Sequence, residues 1–423
     1  MKKKIIAGLI ILILVFGVLF LKVFGVGFKK VKVEELKALD WQKKQKITNE
    51  NYIKYKDEYD IIRNTDKLGG ASKKYYSKYI DYIAPNGKPI RILAMDKISD
   101  EQLLYAYGLL SFYLKDNEKI NKTEIANNMA NNKAMLIMPN GADRDGKTPM
   151  AAMIGQNLNQ MEIANIGSKW YTECDYEHRD ASFEEIFHLV HDYGIGTTGN
   201  KGASEEISTA IKDALYNALP KDKKDWGKKG LWALGFGSQI DEWEKEGSLE
   251  QEYIVSVIDS YYGLWEAWNE GEGGMWDGYI AKTREDVLEK DPVGAKVLNQ
   301  YLPDNIDYMM RIDPSFEGIF NMNYDEKFLY TTKSKYLKDL SLTGSKNSGI
   351  LGNELDNILM GNSGSNTIDG GLGNDILQLK GLSTEYEIEQ KSDKVIIKDL
   401  IENRDGTIIA KNIEILRFID KDI

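Results

Sequence analysis

The chain has 423 residues, 42% of them hydrophobic and 29% charged, which is enough apolar side chain to bury a sizeable core and excludes a wholly disordered polypeptide. Its formal net charge of -11 repels phosphate backbones, so nucleic acid is excluded as a partner and cations are favoured. A single cysteine, Cys174, rules out an intramolecular disulfide and a thiolate zinc cluster, so a transition metal here must be held by histidine and carboxylates.

The first thirty residues, "MKKKIIAGLIILILVFGVLFLKVFGVGFKK", place three lysines before an uncharged run from Ile5 to Leu21. That is the pattern of a signal peptide or membrane anchor. Val23, Phe24 and Gly25 make a poor cleavage site, so the expectation is a signal-anchor with the membrane as partner and a cell-envelope location, the remainder being exported and either anchored or secreted. Residues 31–84 are rich in lysine and glutamate at their start and read as a helical spacer.

A domain of α+β class, rich in helix, is expected over 85–340. Ile90 to Ala94 reads as a strand, and a helix capped by Ser99 follows, with Leu103, Leu104, Tyr107, Leu110 and Leu114 at helical spacing. "NKAMLIMPNG" reads as a second buried strand, with the helix crossing between the two.

"SFEEIFHLVHDYGIG", residues 182–196, holds two of the three histidines. At helical spacing Phe183, Ile186, Phe187 and Val190 share one side, while Glu184, Glu185, His188, His191 and Asp192 share the other. Glu184 and His188 are one turn apart and can meet at a point. The same residues admit a plainer reading, in which Ser182 and Glu185 form a capping box and the polar side faces water. A charged, glycine-rich segment from 220 to 247 reads as loop. After it, "SLEQEYIVSVIDSYYGLWEAW" is a second amphipathic helix carrying Glu252, Ser256 and Asp259 along one stripe.

Glu184, Glu185 and His188 resemble the zincin motif H-E-x-x-H with glutamate in place of its first histidine. The order of strands, His helix and Glu helix over about 85–310 resembles the lethal-factor-like gluzincins. The resemblance implies a Zn2+ site of Glu184, His188 and Glu252, with His191 or His178 as alternative ligands. It implies Glu185 as the catalytic base, and Tyr193 or Tyr253 as an oxyanion donor. The aromatic stretch from 261 to 279 would either line a cleft for a peptide or surface glycan or fill the core.

Residues 352–378 read as three lines, "GNELDNILM", "GNSGSNTID" and "GGLGNDILQ", each opened by glycine, with Asn or Asp at the sixth place and Leu or Ile at the eighth. They resemble the RTX, or haemolysin-type, calcium-binding nonapeptide repeats. The resemblance implies a short parallel β-roll with Leu359, Ile368 and Leu377 pointing inward. It also implies Ca2+ held by residues drawn from Asp356, Asn357, Asn366, Asp369, Gly371, Gly373 and Asp375. Asn357 and Asn366 depart from the family, which has aspartate there. The alternating segment that ends in "NIEILRFID" resembles the strand cap of such rolls and completes a roll domain over 341–423.

Two functions follow as expectations. One is an exported zinc-dependent hydrolase of peptidase type with a calcium-stabilised roll. The other is a non-catalytic surface-binding protein whose zincin-like part has lost its metal.

Overall fold

The computed structural model describes residues 61–143, 145–173, 180–266 and 278–423. The apolar run Ile5 to Leu21, Cys174 and His178 lie outside these. Against the signal-anchor and membrane expectation, no helix among the described residues is long and apolar enough to cross a membrane; the run that carries the expectation lies outside them. The longest described helix has 15 residues, where a span takes about 20.

A short helical turn, Gly70–Tyr75, leads into a four-stranded sheet. Its strands are β1 (Lys78–Ile83), β2 (Pro89–Ala94), β3 (Met135–Met138) and β4 (Gln156–Asn157), ordered β1-β2-β3-β4. The first two form an antiparallel hairpin, so the end of the expected helical spacer is instead an edge strand, in which Lys78, Tyr79 and Ile80 are buried. Strands β2 and β3 are parallel and therefore need a crossover. Helices α1 (Asp100–Leu114) and α2 (Thr123–Asn131) supply it. Ser99 caps α1 as expected: its hydroxyl accepts from Gln102 N at 3.0 Å, and Gln102 Oε1 accepts from Ser99 N at 3.0 Å.

Six further helices cover the sheet and one another: α3 (Ser182–Val190), α4 (Glu205–Ala218), α5 (Gly237–Glu246), α6 (Leu249–Tyr261), α7 (Arg284–Lys290) and α8 (Pro292–Tyr301). Helix α5 replaces the last third or so of the loop expected over 220–247. Ile240 and Trp243, one turn apart on it, are buried, and Trp243 stacks on Trp232 with ring centroids 5.5 Å apart. Tyr261, Tyr262, Leu264, Trp265 and Tyr279 are buried, so the described part of the aromatic stretch fills the core.

The chain then coils between two sheets. Strands β5 (Ile306–Ile312), β7 (Leu337–Leu342), β9 (Ile358–Met360), β11 (Ile376–Gln378) and β15 (Ile415–Arg417) form one. Strands β6 (Gly318–Asn321), β8 (Ser348–Leu351), β10 (Ser365–Asp369) and β12 to β14 (Tyr386–Gln390, Val395–Asp399, Thr407–Lys411) form the other. Successive short strands alternate between the sheets and pair in parallel with the strand one coil away, as in a β-roll. Leu359, Ile368 and Leu377 are completely buried, as the eighth place of each line requires. The C-terminal cap joins through β14 on β10 and β15 on β11, both parallel.

The sheets reach upstream of the repeats to Ile306, where β5 packs on α1. Tyr308 lies against Gly108, and the Arg311 guanidinium donates to both oxygens of Glu101 at 2.7 and 3.0 Å. The roll and the helical part therefore share one continuous apolar core.

Candidate metal centre

Helix α3 starts one residue earlier than a Ser182 cap would set it. Ala181 is the cap residue, and the carboxylate of Asp180 accepts the Ser182 N–H at 3.0 Å. The capping box between Ser182 and Glu185 does not form, and Ser182 Oγ is buried without a hydrogen-bond partner. Asp180 is half-buried, and burial pushes its carboxyl up to about 6 although Ser182 and the hydroxyl of Tyr105 hydrogen bond to it.

Because the cap lies elsewhere, Glu185 is available to the helix face. Its Oε2 accepts from Gln156 Nε2, on β4, at 2.6 Å and stands 3.7 Å from His188 Nδ1. That face is not wet. Glu184 is 6% exposed and His188 7%, since α6 packs across them. Burying the Glu184 carboxylate beside an imidazole costs on the order of several kcal/mol unless a counter-charge is present.

Helix α6 brings Glu252 to the same place. One ligand atom each from Glu184, His188 and Glu252 lies within 4.8 Å of the others. His188 Nε2 is buried with no hydrogen-bond partner, while Nδ1 faces Glu185. This is the arrangement in which a carboxylate fixes the tautomer and the second nitrogen is left for a metal. Burial alone would lower the His188 pKa, but Glu185, Glu252 and Asp192 outweigh it and raise it above the ordinary histidine value. The site thus carries the negative field that a cation neutralises. One nitrogen and two carboxylate donors fit a zinc ion better than a calcium ion, which takes oxygen ligands throughout.

Other residues expected near this centre lie elsewhere. After Val190 the backbone widens into a π turn, His191–Ile195, which rolls His191 into the core beside Phe187. Both its ring nitrogens lack partners, and burial with the neighbouring His188 pushes it down to about 3, so it is a neutral core side chain outside the cluster. Tyr253 points away: its hydroxyl donates to Asp291 at 2.6 Å, within a buried group that includes Tyr279. The Tyr193 ring is half-buried beside the core, and its carbonyl accepts from Asn128. Ser256, on the Glu252 stripe, accepts from the Trp232 indole instead. Gln156 and Asp180 were not legible as site residues, because a strand edge and a cap on the preceding residue leave no spacing signal.

In the roll, Gly371 and Gly373 adopt φ of +95° and +125°, as a calcium-type glycine turn needs. Asp375 is fully buried and Oδ2 has no hydrogen-bond partner, whereas Asn357 and Asn366, also buried, are hydrogen-bonded through both amide atoms. Burial and then the charges of Glu414, Asp356 and Asp369 push Asp375 up to about 7, against a hydrogen bond from Asn357. Asp356 and Asp369 accept main-chain N–H groups, from Asn374 at 2.9 Å and Gly371 at 3.2 Å.

Residues 351–379 match the family model of the RTX calcium-binding nonapeptide repeat (4 copies). No curated protein matches the chain. The C-terminal segment therefore carries RTX calcium-binding repeats, and the zincin resemblance of the helical part rests on Glu184, Glu185, His188 and Glu252 alone.

Proposed function

We propose that this is an exported, zinc-dependent hydrolase acting on peptide-type bonds, with a calcium-binding roll at its C-terminal end. The observation that carries the reading is the convergence of Glu184, His188 and Glu252, from two helices far apart in the chain, with His188 Nε2 buried and without a partner. The RTX repeats support export, since such segments travel with secreted proteins. A zinc ion held by these three residues would supply Lewis acidity at a coordination position they leave open.

The chain's own residues divide the remaining work. Glu184 and Glu252 hold charge against the ion, and His188 offers Nε2. Glu185 keeps the imidazole turned through Nδ1 and is the carboxylate nearest in sequence to a ligand, so it is the group to take a proton from an attacking water. Two carboxylates and one imidazole leave the ion less electrophilic than two imidazoles and one carboxylate would, so slow turnover is expected.

The test is metal content of the whole chain together with hydrolysis of an unstructured protein substrate. Near-stoichiometric zinc is expected, falling in His188→Ala and in Glu252→Ala, and Glu185→Gln should keep the metal and lose turnover. A folded wild-type chain that takes up no zinc would remove the reading. The second reading is a non-catalytic binding protein, favoured by the burial of Glu184 and His188. Zinc that is bound with no turnover in the wild type would select it.

A further inference from the structure

Within the three nonapeptides opening at Gly352, Gly361 and Gly370, the second and sixth residues change together: Asn353 with Asn357, Asn362 with Asn366, and Gly371 with Asp375. In the first two turns the sixth-place Oδ1 accepts the N–H of the second residue, at 3.3 and 2.9 Å. Its Nδ2 donates back to the second-place Oδ1, at 3.0 and 2.8 Å. The second-place amides pass this on to main-chain carbonyls, Asn353 to Leu337 and Asn362 to Thr343 and Lys346. Asn357 adds a bond to the Lys338 carbonyl. In both turns, amide hydrogens thus occupy the midst of buried oxygens and satisfy them as a cation would.

The third turn has neither amide. Gly371 lacks a side chain and Asp375 has no donor. Asp375 Oδ1 accepts from Asn357 N at 2.9 Å, but Oδ2, on a residue with no exposure, meets no donor. A Cβ on Gly370 would collide with both Asp375 Oδ2 and the Asn412 carbonyl oxygen, so these two oxygens converge on one spot. Asn412 and Glu414 belong to the strand cap, beyond the matched repeats. Glu414 Oε2 accepts the Asp375 N–H at 2.7 Å, and the N–H groups of Glu414 and Ile415 both donate to the Asp375 carbonyl at 3.1 Å. The carboxylates of Asp356 and Asp369 add negative charge around the same point.

We infer that the roll takes one calcium ion, at the seam between the third repeat and the strand cap, held by Asp375, Glu414 and the Asn412 carbonyl, and that an asparagine pair stands in for the ion in each of the other two turns. This rests on the calcium reading of the repeats proposed above. It makes the first two turns independent of calcium and the docking of the cap dependent on it.

The experiment is a calorimetric calcium titration of the full chain in metal-free buffer, beside Asp375→Asn, Glu414→Gln and Glu184→Gln. The expected result is one equivalent, lost in Asp375→Asn, about tenfold or more weaker in Glu414→Gln, and unchanged in Glu184→Gln. Glu414 is exposed, so its variant keeps the fold, and circular dichroism checks this. Two or more equivalents would overturn the single-ion assignment while leaving calcium binding by the repeats intact. Full affinity in Glu414→Gln would overturn the seam, and an equivalent lost only in Glu184→Gln would place the ion in the helical part. A folded wild-type chain that binds no calcium would remove the calcium reading itself.

Discussion

In the helical part, Glu184 and His188 meet Glu252 across two helices, and the cluster exists only because α6 is laid over α3. In the roll, each turn is closed by side chains four places apart, Asn353 with Asn357 and Asn362 with Asn366, and the closure repeats along the coil. The first arrangement gathers carboxylates around His188, whose buried Nε2 meets no hydrogen-bond partner. The second closes the first two turns with neutral amides, and leaves Asp375 Oδ2 of the third without a donor. A buried polar atom left without a partner points to an outside ligand, whereas a closed amide ladder points to none.

The comparison can be tested first through the roll's apolar ladder. Ile368 is completely buried, and Ile368→Ala should cost about 2–5 kcal/mol in denaturant unfolding while the folded variant retains its zinc. Loss of zinc from that folded variant would show that the helical cluster depends on the roll. Next, zinc at a free concentration of 100 times its Kd should stabilise the wild type by about 2.7 kcal/mol, and a chelator should abolish the gain. The His188→Ala thermal midpoint should be unmoved by either addition.

A smaller effect is expected where the two parts meet. The Arg311 and Glu101 side chains are 14% and 19% exposed, and Glu101→Gln should cost about 1.5–3 kcal/mol, less whatever solvent screens. The smallest for a unit step of the variable changed is a pH slope. Asp339, buried in β7, is pushed up to about 7 by burial, against a hydrogen bond from Ile358 N. A carboxyl whose folded pKa is raised contributes its stability in full below its unfolded value and loses it as pH rises through about 7. Between pH 4 and 7 the wild type should therefore lose up to about 1.4 kcal/mol per pH unit relative to Asp339→Asn, measured as the difference between their unfolding free energies.

Much of the roll was legible in the residues. Glycine at the first place, aliphatic at the eighth and a sixth-place Asn or Asp are local requirements of one coil, and they placed Leu359, Ile368 and Leu377 inside correctly. What the repeat did not disclose was its reach back to Ile306, because β5 and β6 carry no glycine line and join by parallel pairing alone. Nor did it disclose the use of the asparagines. The repeat pattern makes Asn357 and Asn366 calcium ligands, and the meaning of Asn353 and Asn362 emerges only where the second and sixth places face each other.

The helical centre was legible through its spacing. Glu184 and His188 one turn apart, and Glu252 on a later amphipathic helix, were named together and lie together. Of the two readings of α3, the water-facing one fails, since helical periodicity reports which face is polar and not what covers it. His191 was on the same stripe but left it, because the π turn after Val190 adds a residue to the helical turn and rotates the ring inward.

The amino-acid order by itself determined the elements that depend on near neighbours: the capped α1, the strands around it, the one-turn spacing of Glu184 and His188, and the nine-residue period of the roll. Only the tertiary structure decided which carboxylates lose water and which gain a donor. Burial and convergence are set by long-range packing, of α6 on α3 and of the cap on the third repeat, and no local pattern encodes the distance between them.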